Sequence, residues 1–199
     1  MLEGDSIMAL LDIIKARRSI RKYKSEQIPK EALGKILEAG VCAPNAGGRQ
    51  GTMLVGVHNA ELCKEIGIMN MQSFDRSKLI GSFVSKEQPS VIDDKNIQNG
   101  FYDAPSVICV FAPKNFLFSI PDAFCAAENI VLQATELGIS SCIISRAEQT
   151  FDNEQGKALL CKWNIPENYI ARCFVILGYI DGEAPQSKPI NKDRIKIVE

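Results

Sequence analysis

The stretch from Ala123 to Leu137 is apolar on nearly every side of a helix, with Glu128, Asn129, Gln133 and Glu136 as the exceptions. A helix without a clear polar face has to be buried on most sides. In a chain of 199 residues that leaves two places for it, the centre of the fold or the contact between two subunits. Around it, hydrophobic periodicity sets out strands at Met53 to His58, Val107 to Phe111, Ser140 to Ile144 and Ile170 to Leu177. A helix opens near Pro29, carries Leu33, Ile36 and Leu37 on one face and stops at Gly40; others run from Ala60 to Ile66 and from about Asp152 to Trp163. The expected fold class is α+β, in one domain over residues 1–199.

A first helix is expected from about Ser6 to Lys15, capped by Asp5 or Ser6, with an apolar face of Ile7, Leu10, Leu11 and Ile14. Directly after it comes Arg17-Arg18-Ser19-Ile20-Arg21-Lys22-Tyr23. Guanidinium forks take phosphate oxygens two at a time, and a serine hydroxyl or backbone N–H completes such a cradle. The alternation from Ser19 to Tyr23 reads as a turn into extended chain, which sends Arg21 in a different direction from its neighbours. Charge pattern alone also fits a solvated basic helix end, since Lys15, Arg17 and Arg18 suit the negative pole of the helix.

With 46% hydrophobic and 24% charged residues the chain carries a sizeable core, and a net charge of −1 argues against a nucleic-acid partner, which would need a basic excess. The seven cysteines are odd in number and scattered, as in a reducing cytoplasm, and Cys109, Cys125, Cys142 and Cys173 read as small core hydrophobes. No metal site is expected, and the single histidine, His58, reads as structural or surface. The longest nearly apolar stretch, Ala104 to Pro113, is far short of a membrane span, so a soluble cytoplasmic protein is expected. Residues 69–98 are polar and without period, the mark of a functional or mobile segment, here a candidate lid. Residues 179–199 read as an extended tail.

Familiar nucleotide and hydrolase signatures are absent. The glycine-rich Gly47 to Gly51 follows a helix rather than a strand, so it fails as a dinucleotide loop. A cofactor that brings its own reactivity explains an oxidoreductase with no evident acid, base or nucleophile.

Arg17 to Tyr23, then Ala43-Pro44-Asn45-Ala46-Gly47-Gly48-Arg49-Gln50, then Phe101-Tyr102-Asp103-Ala104-Pro105 ahead of an apolar strand, and Lys192 with Arg194 near the end, together resemble the nitroreductase family of FMN-dependent oxidoreductases. The resemblance covers almost the whole chain. It implies a three-layer α-β-α fold with a mostly antiparallel central sheet, a homodimer with FMN at the interface, and an extended C-terminal tail. By the same resemblance Arg17, Arg18, Ser19, Lys192 and Arg194 hold the phosphate, and Arg21 lies by the flavin's pyrimidine edge. Pro44, Asn45, Ala46 and Gln50 reach in from the second subunit. Ile143, Ser145 and Arg146 meet the ring through backbone groups, and one of Asn70, Asn96 and Asn99 is a candidate for the ring edge.

The chain departs from the family pattern at Asn45, where serine is common, at Gly51-Thr52, where Pro-Trp is common, and at Ser145-Arg146, where an acidic residue and glycine are usual. The implied activity is transfer of two electrons from NADH or NADPH through FMN to a small acceptor such as a nitroaromatic or quinone. Other redox chemistry on the same flavin, such as dehalogenation or substrate oxidation, and a non-catalytic flavin-binding dimer stay open beside it.

Overall fold

The computed structural model describes residues 9–78 and 81–199 of the chain. Among the described residues, four strands, β1 (Met53–Val57), β2 (Ser106–Pro113), β3 (Ser140–Ile144) and β4 (Tyr169–Gly178), form one sheet in the order β1-β2-β4-β3, with every neighbouring pair antiparallel, and five α-helices surround it: α1 (Leu10–Ala16), α2 (Lys30–Val41), α3 (Ala60–Gln72), α4 (Ser119–Glu136) and α5 (Glu154–Lys162). Asn59 and Asn153 cap α3 and α5 by accepting the Leu62 and Gly156 N–H groups at 2.9 and 2.7 Å.

Side chains alternate across the pleat, so the central strands feed two cores. Val107, Cys109 and Phe111 of β2 face Cys63, Ile66 and Met69 of α3, and α5 adds Leu159 and Leu160 on that side. Ile108, Val110 and Ala112 face Leu33 and Ile36 of α2 and the alanine-rich side of α4. The result is three layers, α-β-α. Each fully buried aliphatic side chain in them contributes about 1.5–3 kcal/mol of transfer free energy.

Gly40 does not end its helix. It lies inside α2, where a Cβ would stand 2.7 Å from Leu54 and 2.8 Å from Ile130, so its lack of a side chain lets α2 seat against β1 and α4. Opposite Val110 and Phe111 the sheet has a bulge: Val110 pairs with Cys173 and Phe111 with Ala171, leaving Arg172 without a partner in the ladder. The bulge shifts the alternation, so that Ala171 faces one core and Cys173 the other.

Several expectations are corrected. Asp5, Ser6 and Ile7 lie outside the described residues. Within α1 the buried residue is Ile13, while Leu10, Leu11 and Ile14 face outward at 65%, 57% and 45% exposure. Cys125 is exposed, because α4 has an outer side that also carries Ile120 and Glu128. α3 continues six residues past Ile66, so the first part of the supposed lid is helix, with Met69, Asn70 and Met71 buried. Residues 81–98 form turns held by side chains: Asp93 accepts the N–H groups of Val84 and Ser90, each at 2.7 Å. Among the described residues no helix is long and apolar enough to cross a membrane.

Candidate functional site

After α1 the chain runs extended along the outer edge of β3. The Ile20 N–H donates to the Ser141 carbonyl at 3.0 Å, Ser19 bridges to Ser141, and Tyr23 bridges to Ile180. The Arg21 guanidinium turns back to the Ser19 carbonyl at 3.3 Å, and Arg17 reaches the Ser19 hydroxyl at 3.5 Å. Arg18 does otherwise. It donates to the Lys15 and Arg17 carbonyls at 2.6 and 2.8 Å, the helix-end role that charge pattern allowed.

The thiol of Cys142, on β3, gauges the field along this edge. Burial pushes it up, while Arg21, the Ser19 hydroxyl, Arg17 and Arg146 all act in the opposite sense. Arg17, Arg21 and Arg146 all act on this one thiol, and the bridge of Ser19 to Ser141 holds the first two beside the strand. Burial also holds the Tyr23 hydroxyl well above its ordinary value, so it stays protonated and donates to the Ile20 carbonyl at 2.7 Å.

A cavity lies at each end of β3. One, of about 180 Å³, is lined by Arg17, Arg18, Ser140 and Ser141. The other, of about 360 Å³, is lined by Asn70, Phe74, Phe124, Ser145, Arg146 and Arg172 among others. Ser141 and Ser145 are four residues apart, roughly 13 Å along a strand. Among the described residues, the buried side-chain polar atoms without a partner are Ser141 Oγ, Asn70 Oδ1 and Arg146 Nε, all on residues that line these cavities. Buried polar atoms are nearly always paired. A ligand with a phosphate at one end and a planar ring with hydrogen-bonding groups at the other fits this layout.

Of the expected ring contacts, Ile143 packs toward the α2 and α4 layer, while Ser145 and Arg146 reach the larger cavity. Asn70 is the asparagine that lines it. Its amide donates to the Arg146 carbonyl at 2.5 Å and the Thr150 hydroxyl at 2.9 Å, which fixes the loop carrying Ser145 and Arg146. The Asn99 side chain donates to Asp103 and accepts the Phe101 N–H, and the backbone N–H of Asn96 donates to Asp94 in a turn; neither residue lines the cavity.

The Pro44 to Gln50 loop stands at the start of α4. The Ala46 N–H donates to Asp122 at 3.0 Å and the Gln50 N–H to Asn45 at 2.8 Å. Lys192 and Arg194 form an exposed helical turn in the tail. Among the described residues, no hydrogen bond or ion pair joins Pro44, Asn45, Ala46, Gln50, Lys192 or Arg194 to Arg17, Arg18, Ser19 or Arg21 in the single chain.

Sequence reasoning missed Gln88, fully buried behind Arg21, and Arg172, which donates to Ser119 Oγ at 2.9 Å, to the Pro113 and Lys114 carbonyls and to Glu148. A lone arginine in an apolar strand was the available signal for the second. His58 is structural, donating from Nε2 to the Ile28 carbonyl at 2.6 Å. No cluster of metal-ligating side chains occurs among the described residues.

Residues 14–179 match the nitroreductase family. This chain belongs to the nitroreductase family. A nitroreductase with bound FMN from Bacteroides fragilis shares 31% identity over 96% of this chain and 100% of its own, with a TM-score of 0.79. Another with bound FMN, from Desulfitobacterium hafniense, shares 26% identity over 96% and 98% of the two chains, with a TM-score of 0.77. A protein of Archaeoglobus fulgidus, provisionally named an NADH dehydrogenase/NAD(P)H nitroreductase, is 30% identical over 85% of this chain and 84% of its own. As a nitroreductase-family chain, this one carries its cationic strand edge within the matched span.

Proposed function

We propose that this chain is an FMN-dependent NAD(P)H oxidoreductase that works in the cytoplasm as a homodimer. The observation that carries the reading is the pair of cavities at the ends of β3, one lined by Arg17 and Ser141 and the other by Asn70, Ser145 and Arg146, with buried polar atoms of Ser141, Asn70 and Arg146 left without a partner. Bound FMN would supply the redox chemistry, taking a hydride from NADH or NADPH and passing two electrons to a nitroaromatic, quinone or similar acceptor.

The protein's own part is to bind, orient and shield. Arg17 and Ser19 hold the phosphate, with Arg18 in a supporting position and Lys192 and Arg194 added from the tail. Arg21 supplies a fixed positive charge at the pyrimidine edge, preorganised for the charge that develops there. Asn70 holds Arg146 and Ser145 in place at the ring's side, and Phe74, Phe124 and Ile120 keep the acceptor cavity apolar.

The dimer is supported by what a single chain leaves uncovered. Leu10, Leu11, Leu117, Phe118 and Ile120 are exposed on α1 and at the start of α4, and Ile190, Ile195, Ile197 and Val198 on the tail. Exposed apolar side chains on these segments are ones that a partner subunit would cover. A second subunit would bring Pro44, Asn45, Ala46 and Gln50 to the first subunit's site.

Purified protein should be yellow, contain FMN, and bleach anaerobically with NADH or NADPH. A flavin that ignores both nicotinamides would move the reading to other flavin chemistry or to a non-catalytic flavin-binding dimer. Protein that cannot take up FMN at all would end it.

A further inference from the structure

We infer that the larger cavity selects an aromatic acceptor bearing a carboxylate, and that the Arg146 guanidinium is the group that binds it. This rests on the reading of that cavity as the acceptor site. Three charged side chains line it: Arg146, Glu148 and Arg172. Glu148 and Arg172 neutralise each other, and three further Arg172 donors are taken by Ser119 and the Pro113 and Lys114 carbonyls. Arg146 is left as the uncompensated charge.

Its guanidinium makes only long contacts, 3.5 Å to the Gly100 carbonyl and 3.5 Å to the Met71 sulfur. Among the described residues no carboxylate lies within ion-pair distance of it. A partly buried cation without a counterion is costly, and an incoming anion would offset that cost. The Phe74 ring lies 5.3 Å from the guanidinium carbon, which fixes the orientation of the planar fork without using its in-plane donors. Phe124 and Ile120 complete an apolar wall that strengthens any charge interaction beside it.

The fork geometry favours a carboxylate, which it can grip through two parallel bonds. The flavin ring would take part of this cavity of about 360 Å³, which leaves room only for a small acceptor such as a single substituted ring. The positive charge of Arg146 would draw an anionic acceptor into this cavity.

The test uses the FMN-loaded protein and two near-isosteric probes, 4-nitrobenzoate and 4-nitrobenzamide. Binding to the oxidised protein is read from perturbation of the flavin absorbance, and kcat/KM is measured with NADH and with NADPH. The wild type should favour the carboxylate by about ten- to a hundredfold in both measurements. Arg146→Gln should abolish the preference, and Arg146→Lys should keep part of it, because a point charge replaces the fork. The ratio between the probes is the readout, so a general loss of turnover in a variant does not affect it.

Equal binding of the two probes by the wild type, or a preference that survives Arg146→Gln, would overturn the inference while leaving the reductase reading intact. Failure to reduce either probe would count against the reductase reading, and the binding titration would still decide the inference. If Arg146→Gln raises KM for the nicotinamide and leaves the probe ratio unchanged, the guanidinium serves the donor's pyrophosphate and the inference is wrong.

Discussion

The side-chain carbonyl of Gln88 accepts the backbone N–H of Arg21 at 2.8 Å, joining positions 67 residues apart. Its amide also donates to the Asp181 and Glu183 carbonyls, at 3.3 and 3.2 Å. One fully buried side chain thus ties the proposed phosphate-binding strand, the segment between α3 and β2, and the root of the tail. Gln88→Leu would leave an N–H and two carbonyls without partners, and a buried group so stranded costs about 1–3 kcal/mol. The expected result is a loss of roughly 2–3 kcal/mol in urea unfolding, together with weaker FMN uptake. An unchanged unfolding midpoint would show that the three segments hold together without it.

Arg17 and Arg18 should not be equivalent. Arg18 already spends its donors on the end of α1, whereas Arg17 has one long contact to Ser19. Charge-assisted bonds to phosphate contribute about 1.5–3 kcal/mol each, so Arg17→Ala should weaken FMN binding ten- to a hundredfold. Arg18→Ala should change it several times less. Fluorescence titration of the two variants decides, and equal losses would reject the distinction.

Gly100 gives access to the loop that bears Arg146. A Cβ there would stand 2.2 Å from Asn70 Oδ1 and 3.3 Å from the Arg146 guanidinium. Gly100→Ala must therefore displace Asn70 from its bonds to Arg146 and Thr150, with an expected cost of about 1–3 kcal/mol from overpacking. Thermal unfolding measures the cost, and a near-neutral result would mean that Asn70 can move without consequence.

Burial pushes the thiols of Cys63 and Cys173 up to about 12. Folded pKa values above the unfolded one give stability that is fully present below pH 9 and falls as pH rises from there toward 12. Between those limits each thiol should subtract about 1.4 kcal/mol per pH unit. The acid side works in reverse at Asp93. Burial acts to raise its carboxyl, but the N–H groups of Ser90, Val84 and Ser85 together hold it below the usual range. Its contribution is present at neutral pH and disappears as acid protonates it, so the 84–93 turn should loosen at low pH. Urea titrations from pH 7 to 11 test the first limb, and a flat profile above pH 9 would contradict it. In thiol labelling the exposed Cys42, Cys125 and Cys161 should react before the other four.

The proposed dimer has its own test. Gln50→Ala and Arg17→Ala chains each damage every site in a homodimer, but a mixed dimer would hold one intact and one doubly damaged site. Mixing should restore about one tight FMN site per dimer. Titrations in which no tight site returns would reject the view that the Pro44 to Gln50 loop serves the opposite subunit.

Much of the architecture was legible because its cause is local. The expected bounds of β3 match to the residue, and those of β2 and β4 to within one or two, since continuous apolar runs bounded by Pro105 and Gly178 have few alternatives. α3 extends beyond the expected Ile66, because Gly67 and the polar Asn70, which resemble a helix end in sequence, both face a tight contact with residues 99–101. Cys125 was misplaced because an apolar run does not say which side of a helix faces out. The run of Arg17, Ser19 and Arg21 stands out in the sequence by its spacing, whereas Gln88 does not. A single glutamine in a polar stretch becomes structural only through partners 67 and more positions away.

β3 is the last strand of its sheet. On its outer side the backbone is engaged at Ser141 by Ile20, so the segment proposed to grip FMN also stands guard over an open strand edge. An unguarded edge is a template for strand addition by other chains. If FMN is gripped there as proposed, cofactor binding would also help keep this edge covered: a protein whose Arg17 to Arg21 segment comes away would uncover a surface on which its copies can stack.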